Sequence, residues 1–341
     1  MFWNKRLSCF LSALMLLIFT NQALAQMIPP NIAPAGNYSG CQGIGNYYFS
    51  LGLRKYINSF TSYEFLDPDH TYVDPVSRLE WPWEQMYGVI KTGLNDRGLQ
   101  VNVEFASTAL TPSGLKAQDS DWDNISLPNQ KTIFSEAEAK PRGWTFDASL
   151  GFDLPVIGAV RWIIGYRAQQ FRFTYTDMSE KLLFKPHENG FSDGEVIQFT
   201  QDYRHYYAGA VIGTWLDMKN ISYYLSGTSI SLRLLGDIGY VTANNVDFHV
   251  LRLPAPRYTF EVTEGLSWRL NLALDGRVTN WIRAGVAGEF MRIQTGGSHR
   301  WKHPAGLDEE GVYQNAVDQT WKGARVWSDQ KFIEIYASMS F

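Results

Sequence analysis

The sequence predicts an all-β protein: a ten-stranded antiparallel transmembrane β-barrel with long extracellular loops. Three observations lead there. The last eleven residues alternate, with Ile333, Ile335, Ala337, Met339 and Phe341 apolar and Phe332, Glu334, Tyr336, Ser338 and Ser340 a mostly polar-capable set between them. A period of two belongs to a strand with unlike faces, and such a strand ending on an aromatic residue suggests the closing strand of an outer-membrane barrel. Residues 1–25 have the make-up of an export signal, and no later apolar run approaches the roughly 18–20 residues of a spanning helix. Aromatic residues are abundant, with 12 Trp, 18 Tyr and 20 Phe, and barrels gather them into two interfacial girdles.

The signal is legible residue by residue. Lys5 and Arg6 form a positive start, Leu7 to Phe19 an apolar stretch, and Ala23-Leu24-Ala25 a small-x-small cleavage site before Gln26. Its removal takes two cations and moves the net charge from −4 to −6. It also removes Cys9, leaving Cys41 alone, so no internal disulfide is expected. An acidic chain gives no footprint for nucleic acid. Charged residues at 19% exclude a helical membrane bundle but suit a barrel, whose lumen and loops are polar.

Residues 26–43, rich in Pro, Gly and Asn, read as an N-terminal tail, and 44–341 as the barrel. The first predicted strand holds Tyr47, Phe49, Leu51 and Leu53 against Tyr48, Ser50, Gly52 and Arg54. After a loop through Asp67 to Pro75, the second runs from about Ser77 to Gly93, and Asn95-Asp96-Arg97-Gly98 is a tight turn. The third sets Leu99, Val101, Val103 and Phe105 against Gln100, Asn102 and Glu104. Residues 108–141 read as a long polar loop. The fourth, from Trp144 to Leu154, places bulky aromatics at both ends of its apolar face, which a soluble sandwich rarely does. Further strands are expected over 160–173, 203–216, 221–243, 257–273 and 279–293, and the tenth closes the chain. Pro155, Asp217 to Asn220 and Asp275-Gly276 mark short turns; 174–200 and 295–329 mark long loops. Short turns alternating with long loops are the asymmetry of an outer-membrane barrel.

Two clusters on the long-loop side could carry chemistry. In Asp119-Ser120-Asp121-Trp122, residues i and i+2 of an extended segment point the same way, so two carboxylates could hold a water between them. A solvated acidic loop has the same spacing. In Asp247-Phe248-His249 a carboxylate can orient an imidazole and stabilise its protonated form, though a surface His near an Asp has that spacing too. As opposite walls of one cleft, the clusters would hydrolyse a carbonyl compound without a covalent intermediate.

These motifs, in this order, resemble the omptins, outer-membrane aspartyl proteases of Gram-negative bacteria. Ser77-Arg78-Leu79-Glu80-Trp81 is similar to the family's Ser-x-Leu-Asp-Trp, and Asp119-Ser120-Asp121-Trp122 to its Asp-x-Asp-Trp. Gly165-Tyr166 with Phe171-Arg172-Phe173-Thr174 resembles its Gly-Tyr…aromatic-x-Phe-Thr, and Asp247-x-His249 its Asp-x-His. The resemblance covers nearly the whole mature chain. It implies an aspartic-type endopeptidase of the outer membrane in which Asp119 and Asp121 face Asp247 and His249 across a cleft. It further implies a substrate pocket containing Asn245, where the family can carry an Asp, and an acid near Glu64. The family cuts between basic residues; the lost charge at Asn245 puts that preference in question. Thr132 to Ala137 replaces the family's Trp-Thr-Asp-x-Ser-x-His-Pro. Lipopolysaccharide is implied as an activator held by Arg172 and Arg204, since the family's Glu and Arg stand here as Ala168 and Gln170.

No other cofactor and no metal are expected. His299 and His303, with Arg300 and Lys302, fall in the last predicted loop, and four-residue spacing suits a metal only on a helix, which Gly296-Gly297 and Pro304 oppose. The expected partners of a monomeric barrel are outer-membrane lipid, lipopolysaccharide and peptide or protein substrates. The rival readings are an adhesin binding through its long loops and a small-solute channel. Arg161, Arg167 and Glu289, pointing inward, would fill a narrow ten-stranded barrel and disfavour the channel.

Overall fold

The computed structural model describes residues 46–66, 75–96, 98–122, 130–153, 160–183, 190–217, 229–251, 257–279, 281–307 and 311–341. The predicted export signal, the predicted tail and most of the predicted loop from Asp67 to Pro75 lie outside the described residues.

The described residues form ten long antiparallel runs. The first three are each broken once, into β1 (Asn46–Tyr56) and β2 (Phe60–Phe65), β3 (Ser77–Pro82) and β4 (Met86–Asp96), and β5 (Leu99–Leu110) and β6 (Lys116–Asp121). The next six are continuous: β7 (Ile133–Asp153), β8 (Val160–Leu182), β9 (Gly190–Asp217), β10 (Ser229–His249), β11 (Arg257–Arg277) and β12 (Ile282–His303). A two-residue hairpin, β13 (Gly306–Leu307) with β14 (Tyr313–Gln314), leads to the last run, β15 (Val317–Ser340). Each run pairs with its neighbours in sequence, and β15 pairs with both β1 and β2, which makes the sheet a ring. The breaks have local causes: Asn58 takes a positive φ, Pro82 ends β3, and Pro112 and Gly114 (φ 77°) part β5 from β6.

Two faces follow from the alternation. On β15, Ile335 is 59% exposed while Glu334 beside it is 0%. The outward set also includes Leu51, Ile90, Leu150, Ile164, Leu234, Leu270, Leu272 and Ile333, a belt of exposed apolar side chains around the ring. Water does not tolerate such a belt; lipid does. Aromatics border it. Tyr166, Tyr206 and Tyr240 are register partners on β8, β9 and β10 at the upper edge, and Tyr47, Trp281 and Phe341 are exposed at the lower.

Inside the belt the lumen is filled by ion pairs. Arg54 and Lys91 share Glu104 and Glu334. Arg167 and Arg269 hold Asp147, and Arg269 also holds Asp237. Lower down, Arg161 pairs with Asp153 and Arg283 with Asp275. Between these groups a cavity of about 280 Å³ remains, lined by Tyr48, Lys91, Asn102, Arg161 and Arg269 among others. Above the belt the filling turns aromatic. Trp81 stacks on Phe199 at 3.9 Å, and Tyr63, Phe173 and Tyr175 pack around them.

The structure corrects several expected boundaries. The predicted loop over 108–141 holds the end of β5, all of β6 and the start of β7. The loop over 174–200 holds the end of β8 and ten residues or so of β9. The loop over 295–329 is largely β12 and β15, so His299 and His303 sit on a strand. Asp247 and His249 lie within β10 rather than in a loop beyond it; the predicted start of that strand, at 221–228, lies outside the described residues. Asp275-Gly276 does not turn the chain. β11 continues to Arg277 because Asp275 is an inward residue bound to Ser231 and Arg283. The turn follows, where Thr279 Oγ1 accepts the N–H of Ile282 at 3.0 Å. The turns near Arg97, Pro155 and Met218 fall partly or wholly outside the described residues; Gly98, at φ 84°, ends the first of them. One cause unites the loop corrections. Above the belt the outward face meets water, so the apolar member of the alternation disappears while the backbone pairing continues.

Candidate active site

The upper part of the inner wall carries the candidate residues. Asp247 and His249, two apart on β10, share its inward face. His249 Nε2 lies 2.9 Å from Asp247 Oδ2, and the Tyr63 hydroxyl on β2, from across the ring, donates to the same oxygen at 2.8 Å. Asp247 is fully buried, while His249 keeps a small exposed fraction. With Nε2–H donated to the carboxylate, Nδ1 is left as the proton acceptor. Tyr63 packs beside the stacked pair of Trp81 and Phe199, at 5.3 and 5.6 Å from their ring centres. Burial first, and then the carboxylates of Asp247 and Glu261, push its phenol well above the ordinary range. It therefore remains a donor to Asp247.

Asp119 and Asp121 stand on β6. Asp119 is the register partner of Leu79 on β3 and Ser135 on β7; Asp121 is that of Ser77 and Ile133. Leu79 and Ser135 are buried on the inner face, so the parity of β6 turns both carboxylates inward. Tyr175 on β8 packs against Trp81 and donates to the Glu80 carbonyl at 3.4 Å. Its phenol is raised well above the ordinary value by burial and then by the carboxylates of Asp119 and Asp247. The field of both acids thus reaches one buried ring.

The remaining predicted residues divide by strand parity. Asn245 faces inward, buried, one inward step below Asp247. Glu64 does not join it. Tyr63 points in, so Glu64 points out, where it accepts from Arg78 Nε at 2.7 Å and lies 3.9 Å from Arg325. Its place in a substrate pocket is corrected by that single step of alternation. Arg172 and Arg204 are exposed on the outer face. Arg204 stands one outward step above Tyr206, and Arg172 three above Tyr166 and directly opposite Arg142.

Sequence reasoning missed three participants. Tyr63 is 184 residues from the carboxylate it binds, and nothing local reveals the pairing. Glu261 and His299 form a second acid–imidazole pair, Oε1 to Nδ1 at 2.8 Å, buried on β11 and β12. The alternation of His299, Trp301 and His303 with Ser298, Arg300 and Lys302 was the available signal for a strand there. Burial raises the Glu261 carboxyl above its ordinary range, against the pull of His299.

No family model matches the chain, and no curated protein matches it. Solved structures do. The crystal structure of the outer membrane protease OmpT from Escherichia coli superposes with a TM-score of 0.68 at 16% identity, over 89% of this chain and 99% of that one. The translocator domain of the autotransporter NalP from Neisseria meningitidis gives 0.36 at 6% identity, over 98% of each chain. The outer membrane protein OprG from Pseudomonas aeruginosa gives 0.32 at 12%, over 87% and 96%. The belt, the girdles and the likeness to the first of these make the chain an outer-membrane β-barrel with the fold of that protease, located in the bacterial outer membrane.

Proposed function

We propose that the chain is an outer-membrane endopeptidase. The observation that carries this reading is the Tyr63–Asp247–His249 arrangement: a buried carboxylate, fixed by a phenol, that orients an imidazole at the mouth of the barrel. In this reaction His249 Nδ1 takes a proton from a water held by Asp119 and Asp121. The hydroxide adds to the peptide carbonyl, and His249 returns the proton to the departing amine. Asp247 stabilises the imidazolium formed between those steps. Likeness of fold to a protease supports the reading. The filled lumen speaks against a solute channel. An adhesin would need neither the buried carboxylate nor its imidazole.

Lipopolysaccharide belongs to the same proposal. Arg172 and Arg204 stand just above the tyrosine girdle, at the level of lipid headgroups, where guanidinium groups suit phosphate. The test is cleavage of a mixed peptide library by the refolded chain with lipopolysaccharide, beside His249→Ala. Cleavage by the wild type alone is expected. Equal cleavage by both removes His249 from the mechanism, and no cleavage by a folded barrel favours the adhesin.

A further inference from the structure

A row of polar side chains runs across the inner wall and has no part in the water-activating chemistry. Gln201 on β9, Asn245 on β10, Glu261 on β11 and His299 on β12 are register partners over four successive strands. All are at least 98% buried. The row lies one inward step below Asp247. Some of its hydrogen-bonding capacity is used internally: Gln201 Oε1 accepts from Thr61 at 2.8 Å, and Glu261 Oε1 is bound to His299. Among the described residues, five atoms have no hydrogen-bond partner: Gln201 Nε2, Asn245 Nδ2 and Oδ1, Glu261 Oε2, and Asp247 Oδ1 above them. Buried polar atoms are nearly always met by a partner, so five in one patch of wall mark a place where a polar group arrives.

We propose that this row is the pocket for a substrate side chain, and that the side chain is an uncharged carboxamide, Gln or Asn. The proposal rests on the endopeptidase reading. The donor and acceptor pattern selects the amide. Gln201 and Asn245 offer N–H groups; Glu261, Asp247 and Asn245 offer oxygens. A carboxamide has a carbonyl for the former and an NH₂ for the latter. A guanidinium or ammonium has donors alone and would set them against two amide N–H groups. An aliphatic side chain would satisfy none of the five. Charge agrees with geometry. A buried cation requires a full countercharge, and the carboxylates beside the row are already committed, Glu261 to His299 and Asp247 to Tyr63 and His249.

The test compares two peptides that differ only by Gln or Arg at one position, with the mature chain refolded in detergent and lipopolysaccharide. Cleavage beside Gln is expected with kcat/KM about tenfold or more above that beside Arg. Asn245→Asp, or Gln201→Glu should the first fail to fold, is expected to invert the ratio by supplying the missing charge. His249-dependent cleavage that favours Arg in the wild type overturns the carboxamide pocket and leaves the endopeptidase standing. Without cleavage, fluorescence anisotropy of the two labelled peptides on folded protein decides the pocket by itself. Tighter binding of the Gln peptide supports it, while equal or tighter binding of the Arg peptide refutes it.

Discussion

Replacing Glu334 by Gln tests the inward face of the closing strand and the ion network it completes. The Glu334 carboxylate is fully buried. Its Oε2 accepts from Arg54 at 3.0 and 2.7 Å, and its Oε1 meets Lys91 Nζ at 2.6 Å. Glu104 takes a second contact from each cation, at 2.6 and 3.1 Å. Two cations therefore balance two carboxylates. Glu334→Gln keeps the shape and leaves two cations on one carboxylate, which costs about 3–5 kcal/mol when a buried charge loses its partner. Lys91→Met creates the opposite imbalance at a similar cost. The double variant leaves Arg54 with Glu104 alone, again balanced, so it should cost less than the sum by about 0.5–3 kcal/mol. Urea titrations of the barrel folded into phosphatidylcholine vesicles, followed by tryptophan fluorescence, measure all four proteins. Additive losses, or a loss below about 1 kcal/mol for Glu334→Gln, would show that these charges are solvated and that the register of β15 is misread.

Four further outcomes are expected. Tyr63→Phe removes one bond to the Asp247 carboxylate, worth about 1.5–3 kcal/mol for a charged acceptor, and should lower kcat/KM roughly ten- to hundredfold in a fluorogenic peptide assay without altering the fold. Ile335→Arg places a charge in the lipid belt and should destabilise the vesicle-folded barrel by about 2–4 kcal/mol, whereas Arg at the exposed position 325 already faces water. Arg172→Ser with Arg204→Ser should raise the lipopolysaccharide needed for half-maximal cleavage by roughly tenfold or more. Glu261 has a raised pKa in the folded chain, so its contribution to stability is complete below the ordinary carboxylate range and is lost as pH rises through the raised value. Glu261→Gln cannot ionise and should flatten that decline in urea titrations taken across the range.

Within the belt the sequence was nearly transparent, because lipid on one side and ion pairs on the other force every second residue to be apolar. Ile333 and Ile335 against Phe332 and Glu334 are legible on sight. Above the belt both faces are polar, and the strands carrying Asp119 and His299 look like loops. Asp247 and His249 were legible as a pair since two residues on one strand share a face wherever the strand goes. The partners Tyr63, Glu261 and His299 were not, because cross-strand register is set by the accumulated stagger of the ring and not by neighbouring residues. Glu64 shows the sensitivity of such assignments: one position along β2 separates the inner wall from the outer.

The ring also governs when the site exists. Asp119 stands on the third run and Asp247 on the seventh, while Tyr63, which fixes Asp247, is on a segment whose other edge is β15. The final two dozen residues must therefore dock before the first segment is anchored and the two walls face one another. A chain still in transit across the periplasm has all of its candidate catalytic side chains and no site. On the endopeptidase reading, activity before insertion is held back by the order of assembly itself.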